Sequence, residues 1–188
     1  VAEDAPEICF DTLEKTFRSW EYSNFGFYSG GAWVEGKTYQ NVVNENMAEA
    51  MSAVMLSLND DYNILNYPGV KENLYLLMNL NSKTASFTYA DDNARDPWAS
   101  IVPCYSFYSK YYGDERLAQW RQYKLGENGT GEWMDFAYYT PGSYTDKLEG
   151  LDKTSYSIGG EFFTVHEDWN DKNALFFATA GGPTRHYH

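Results

Sequence analysis

Between Ile8 and Trp20 the apolar residues Phe10, Leu13, Phe17 and Trp20 recur at steps of three and four, with Asp11, Glu14, Lys15 and Arg18 between them. That spacing puts rings on one face and charges on the other, and predicts an amphipathic helix. A second stripe, Val43, Met47, Met51, Val54 and Leu58 with Met55 beside it, predicts another helix over 41–58. Its methionines suit a core or a soft ligand-contacting face, and core packing is the commoner use.

After the Tyr67-Pro68-Gly69 turn the period changes. Leu76, Met78 and Leu80 alternate within 74–80, and 84–89 follows across Asn81-Ser82. Bulky residues then run through 101–112, 116–125, 132–139, 161–166 and 174–179, broken by glycine or aspartate turns. Alternation with short turns predicts antiparallel strands. The chain is therefore read as one α+β domain over 1–188, helical over about 1–66 and β-rich over about 70–182. Two amino-terminal amphipathic helices would precede a curled antiparallel sheet or partial barrel, with a flat sheet packed on the helices as the alternative.

Composition sharpens this. The chain has 188 residues, enough for one domain with a sizeable core, and 18% aromatics, of which 17 residues are tyrosine. Tyrosine covers apolar surface with its ring and keeps a hydroxyl for water or ligand, which favours half-buried strands and wet binding surfaces. A formal charge of -13 repels phosphate backbones and anionic headgroups, so nucleic acid is not an expected partner. No apolar run is long enough to span a bilayer. The acidic start VAEDAPE has the character of a chain left by a removed targeting peptide, so export or organelle import is expected: secreted, periplasmic, or plastid and thylakoid lumen. Asn128-Gly129-Thr130 is a candidate glycosylation sequon in a turn, and Cys9 and Cys104 are a candidate disulfide with two free thiols as the alternative.

The densest aromatic stretch is YSFYSKYYGDERLAQWRQYKL, from Tyr105 to Leu125. As strands, this stretch and the next set Arg121 and Tyr123 opposite Trp133 and Asp135, with Tyr105, Tyr108, Gln122 and Tyr138 nearby. Such a face suits a flat conjugated ligand bearing carboxylates: a guanidinium takes a carboxylate two-pronged, an aspartate accepts from ring N–H groups, and aromatic faces stack. A cross-strand salt bridge among packed aromatics is the structural alternative. Other constellations point less far. His166, His186 and His188 are the only histidines, and the oxygen-rich runs Asp91, Asp92, Asn93, Asp96 and Asp168, Asn170, Asp171 lack the spacing of a calcium loop, so no metal site is expected. No GxSxG elbow is present. The carboxylate pairs Glu132 with Asp135 and Glu161 with Glu167 leave glycoside hydrolysis as a third reading.

One region resembles a known family. The Tyr-rich CYSFYSKYYGDE, the RQYKL string Arg121 to Leu125, a Gly-Asn turn and a segment ending in YYTP resemble, over about residues 104–141, the CpcT/CpeT family of phycobiliprotein lyases. The closing FFATAGGPTRHYH is a weaker echo of that family's last strand. The resemblance implies a calycin-like β-barrel that holds an open-chain bilin, with Arg121, Gln122 and Tyr123 as matching positions, and an activity, if any, of a bilin lyase-like chaperone or transferase.

Two function classes follow from the sequence. The first is a non-hydrolytic binding protein holding a planar or apolar ligand, with a bilin as candidate cofactor, on the aromatic face. The second is a secreted or organellar interaction subunit that docks to a larger assembly or to carbohydrate through exposed aromatics such as Phe25, Phe27, Tyr28 and Trp33. The two differ in where the rings point.

Overall fold

The computed structural model describes residues 3–24, 30–33, 35–89, 103–126, 131–141, 147–157 and 162–181. Among them are α1 (Pro6–Asn24), α2 (Lys37–Leu58), a 3-10 turn (Ile64–Asn66), α3 (Val70–Asn79), α4 (Cys104–Tyr112), α5 (Glu115–Leu125), α6 (Trp133–Ala137), and the strands β1 (Thr154–Ser157), β2 (Phe162–His166) and β3 (Phe176–Ala180). The architecture is mixed α+β.

The core forms where α2 meets α4 and α4 meets α5 and α6. Met47, Met51 and Val54 of α2 pack with Leu74 and Met78 of α3, Tyr105, Phe107 and Tyr108 of α4, and Leu117 and Trp120 of α5. Helix α1 joins this body through Phe17 and Trp20, with Phe17 tilted against Tyr62 at 4.6 Å, while its Asp11–Lys15 and Glu14–Arg18 pairs stay in solvent. Helix α2 ends at Asn59, whose left-handed φ of 54° lets its N–H close on the Met55 carbonyl.

A buried polar seam locks α2 to α3. Gln40 Nε2 donates to Asn73 Oδ1 at 2.8 Å and to the Gly31 carbonyl at 2.6 Å, and Asn44 and Asn73 exchange side-chain hydrogen bonds. The backbone at Gly31 passes so close to Asn73 that a Cβ there would overlap the Asn73 backbone, and its φ is +88°. Only glycine fits that approach.

The sheet differs from the expected one. Among the described residues it is three-stranded and open, in the order β1-β2-β3, with both pairings antiparallel. The segments 74–80, 101–112, 116–125 and 132–139, expected as strands, carry α3, α4, α5 and α6, and 84–89 supplies one isolated bridge, Asn81 to Ser86. The reason is burial on several sides. In α4 every residue from Cys104 to Ser109 is buried, and α3 buries Leu74, Leu76, Leu77 and Met78. A helix wrapped by core loses its one-sided stripe, so the alternating subset of its bulky residues imitates a strand. Strand β2 does alternate, with Phe162, Thr164 and His166 inward; Phe162 packs on Ala32, Leu76 and Leu80.

Candidate functional site

The residues expected to form an aromatic ligand face lie on α4, α5 and α6, some inside the packing of these helices and some at its edge. Tyr105 and Tyr108 are fully buried, and their hydroxyls donate to the carbonyls of Leu74 at 3.1 Å and Asn44 at 3.2 Å. Burial pushes both phenols well above the usual tyrosine range. Tyr138 is half-buried and meets Phe107 edge-on at 5.1 Å. Tyr123 stacks on Trp120 and donates to the Trp169 carbonyl at 2.7 Å, Gln122 is half-buried on the same helix, and Trp133 is exposed.

Arg121 and Asp135 are brought together, as the salt bridge that the sequence leaves as the alternative. Arg121, 2% exposed, donates from Nε to Asp135 Oδ1 at 3.1 Å and from Nη2 to Oδ2 at 2.8 Å. Ser106 Oγ donates to Oδ1 at 2.6 Å, and the Glu132 N–H donates to Oδ2 at 2.8 Å as the cap of α6. Burial raises the Asp135 pKa, but these donors, Arg121 first, outweigh it and hold the carboxyl below its ordinary value. Glu132 faces the same guanidinium at 3.6 Å, so Glu132 and Asp135 share one helix cap and do not flank a cleft.

The remaining candidates are placed as follows. Of the two alternatives for the cysteines the structure has free thiols, Cys104 enclosed at the start of α4 and Cys9 half-exposed on α1. Asn128, the Asp91–Asp96 run, Phe25, Phe27, Tyr28, Glu161, His186 and His188 lie outside the described residues. Among the described residues no group of three or more His, Cys, Asp or Glu is placed to hold a metal ion, and no helix is long and apolar enough to cross a membrane.

A cleft of about 310 Å³ opens where the helical body meets the sheet. Tyr75, Met78 and Asn79 of α3, Arg116 of α5, the 150–152 loop, Ser155 of β1 and Trp169 line it. Asp114, the N-cap of α5, organises one wall: it accepts from Arg116 Nε and Nη2, each at 3.0 Å, and from the Tyr75 hydroxyl. Burial raises the Asp114 pKa, while Arg116 and then Tyr75 pull it down further, so the carboxylate stays ionised; Tyr75 is raised above the usual range and remains a donor. The Arg116 guanidinium lies 5.1 Å from the Tyr75 ring centroid and its side chain is 49% exposed, with Nη1 not taken by Asp114. The opposite wall is fixed by Trp169, whose ring stacks on His166 at 3.5 Å and whose Nε1 donates to the Asp152 carbonyl at 3.2 Å. His166 in turn bonds the Asn79 carbonyl at 2.9 Å, tying β2 to the end of α3.

Among the described residues, groups of exposed aromatics also stand on the sheet and around α6. Tyr156 of β1 is paired with Phe163 of β2, and Phe177 of β3 with Val165, so rings 74%, 43% and 51% exposed stand on the outer face of the sheet. Trp133, Phe136 and Tyr139 project around α6. Sequence reasoning did not single out Tyr75, Arg116, Asp152, Ser155 or Trp169, because they come from segments spread over 75–169 and no local motif joins them. Comparison of the chain with family models, curated proteins and solved structures finds no match.

Proposed function

We propose that the protein binds carbohydrate in the cleft between α3, α5 and the sheet, as an interaction protein rather than a hydrolase. The observation that carries this reading is the lining: a half-exposed guanidinium, an amide, a hydroxyl and a carboxylate converge beside tyrosine, tryptophan, methionine and leucine side chains. A saccharide presents hydroxyl pairs along its rim and C–H groups on its faces. Charged and amide groups meet the first, and apolar walls meet the second. The volume is at the lower end for small-molecule sites, room for a ring or two of a longer chain. The acidic character of the chain disfavours phosphorylated ligands in the same place.

Isothermal titration with neutral and acidic oligosaccharides tests the proposal, using wild type and Arg116→Ala. Loss of a hydrogen bond from a charged donor weakens binding by about 1.5–3 kcal/mol, roughly ten- to a hundredfold. Equal affinity of both proteins for every binding sugar would remove the cleft from the account.

The Tyr156–Phe163 pair favours a second reading, docking to a protein partner through the outer sheet face, since interface hot spots are rich in tyrosine and other large rings. Tyr156→Ser with Phe163→Thr abolishes that docking and leaves the cleft intact.

A further inference from the structure

The groups lining the cleft between α3, α5 and the sheet have more acceptors than donors left to offer. Asn79 donates from Nδ2 to the Tyr75 carbonyl at 2.9 Å and gives its own carbonyl to His166, which leaves Oδ1 as an acceptor. The Tyr75 hydroxyl donates to Asp114. Asp152, exposed on the 150–152 loop, accepts from Trp169 Nε1 through its backbone carbonyl at 3.2 Å, and its carboxylate has no hydrogen bond or ion pair among the described residues. The Ser155 hydroxyl can serve either way. On the donor side stands Arg116, with Nε and Nη2 already on Asp114. The charges divide in the same sense. The Arg116 guanidinium is held charged first by its bonds to Asp114 and least by the field of Asp152, so Asp114 is its partner and the Asp152 carboxylate is left to be matched. Lys71 also reaches Asp114, at 3.7 Å, but it stands over the Tyr112 ring and does not line the cleft. The formal charge of -13 over the chain adds a field that draws cations and repels anions.

We propose, resting on the reading of the cleft as a saccharide site, that its ligand is an amino sugar with a free, protonated amine. The ammonium pairs with the Asp152 carboxylate, and the sugar hydroxyls meet Arg116 Nη1, Asn79 Oδ1 and the Ser155 hydroxyl. An ammonium carries three donors and no acceptor, which matches a lining rich in acceptors. A uronic acid brings further acceptors and a second negative charge to a cleft that already holds a carboxylate. An N-acetylated sugar keeps one N–H but no charge, and so forgoes the charge-assisted bond to Asp152.

Isothermal titration at about pH 6, where aliphatic amines are protonated, tests this by comparing a glucosamine tetramer with its N-acetylated counterpart and with a uronic acid oligomer of similar length. The expected order has the glucosamine tetramer about tenfold or more tighter than the N-acetylated one, and the uronate weakest. Asp152→Asn, nearly isosteric and at an exposed position, weakens the glucosamine tetramer by about ten- to a hundredfold and leaves the N-acetylated one as it was. Asp152→Glu, which keeps the charge, retains the preference. A glucosamine tetramer bound no better than the N-acetylated one, or bound equally by wild type and Asp152→Asn, overturns the inference, while the saccharide reading still stands on any binding that Arg116→Ala removes. Absence of binding by every sugar removes both.

Discussion

Arg121 and Asp135 form a two-pronged, buried ion pair, with Nη2 and Oδ2 2.8 Å apart, that fastens α5 to the cap of α6. Both charges are out of water, so their geometry has to repay a large desolvation cost, and Ser106 and the Glu132 N–H satisfy the remaining lone pairs. Removing Asp135 takes two charge-assisted bonds from a guanidinium that is only 2% exposed. Asp135→Ala is therefore expected to lower stability by about 3–5 kcal/mol, and Arg121→Met with Asp135→Leu together by clearly less. Urea unfolding of the three variants checks the order.

Acid stability is expected to fall in two stages. Burial holds the His166 pKa below its ordinary value, the bond to the Asn79 carbonyl opposing. A depressed folded pKa means that the unfolded chain takes the proton first, so this contribution is complete above about pH 6.5 and disappears as pH falls through the folded value. Asp135 and Asp114, also depressed, contribute above their unfolded value of about 3.9 and lose it at lower pH. Melting temperature against pH shows both steps, and His166→Phe removes the upper one while leaving the lower.

Gly31→Ala is expected to cost about 2–4 kcal/mol, because strain at positive φ and overlap with the Asn73 backbone add. Gly113, the αL cap of α4, has φ +62° and open space around its missing Cβ. Gly113→Ala should cost only about 1–2 kcal/mol, from conformation alone. Thermal melts of the two variants separate the two causes.

The helical stripe of 8–20 lies within α1, that of 41–58 within α2, and the alternation of 161–166 and 174–179 overlaps β2 and β3. These elements have one buried side or a regular alternation, so their pattern survives in the sequence. Helix α5 buries Leu117, Ala118, Trp120 and Arg121, a helical spacing that includes a charged residue. A buried arginine breaks an apolar stripe on paper while completing it in space, because its partner Asp135 arrives from another helix. The tyrosines and phenylalanine of α4 favour strand by propensity, which packing overrides. The cleft was illegible for a related reason: its walls come from α3, α5, β1 and the Trp169 turn, and only the tertiary arrangement brings Tyr75 and Arg116 within 5.1 Å.

The cleft wall also makes a stability prediction independent of any ligand. Asp114→Ala removes the N-cap of α5 and the acceptor for Tyr75 and Arg116 together, and should cost about 1–2 kcal/mol, in the range of a lost helix cap. Asp114→Asn restores most of the capping without the charge. Chemical denaturation of the pair distinguishes capping from ion pairing.

Carbohydrate binding in the cleft is tested by a ¹H–¹⁵N NMR titration of the protein with an oligosaccharide panel, following the backbone amides and the Trp169 indole. Binding there gives shifts that cluster at residues 75–79, 114–116, 150–155 and 169, and that vanish in Arg116→Ala with Ser155→Trp, which fills the cleft. Saccharide-induced shifts confined to the outer sheet face or to α6, or none with any sugar tested, would contradict it.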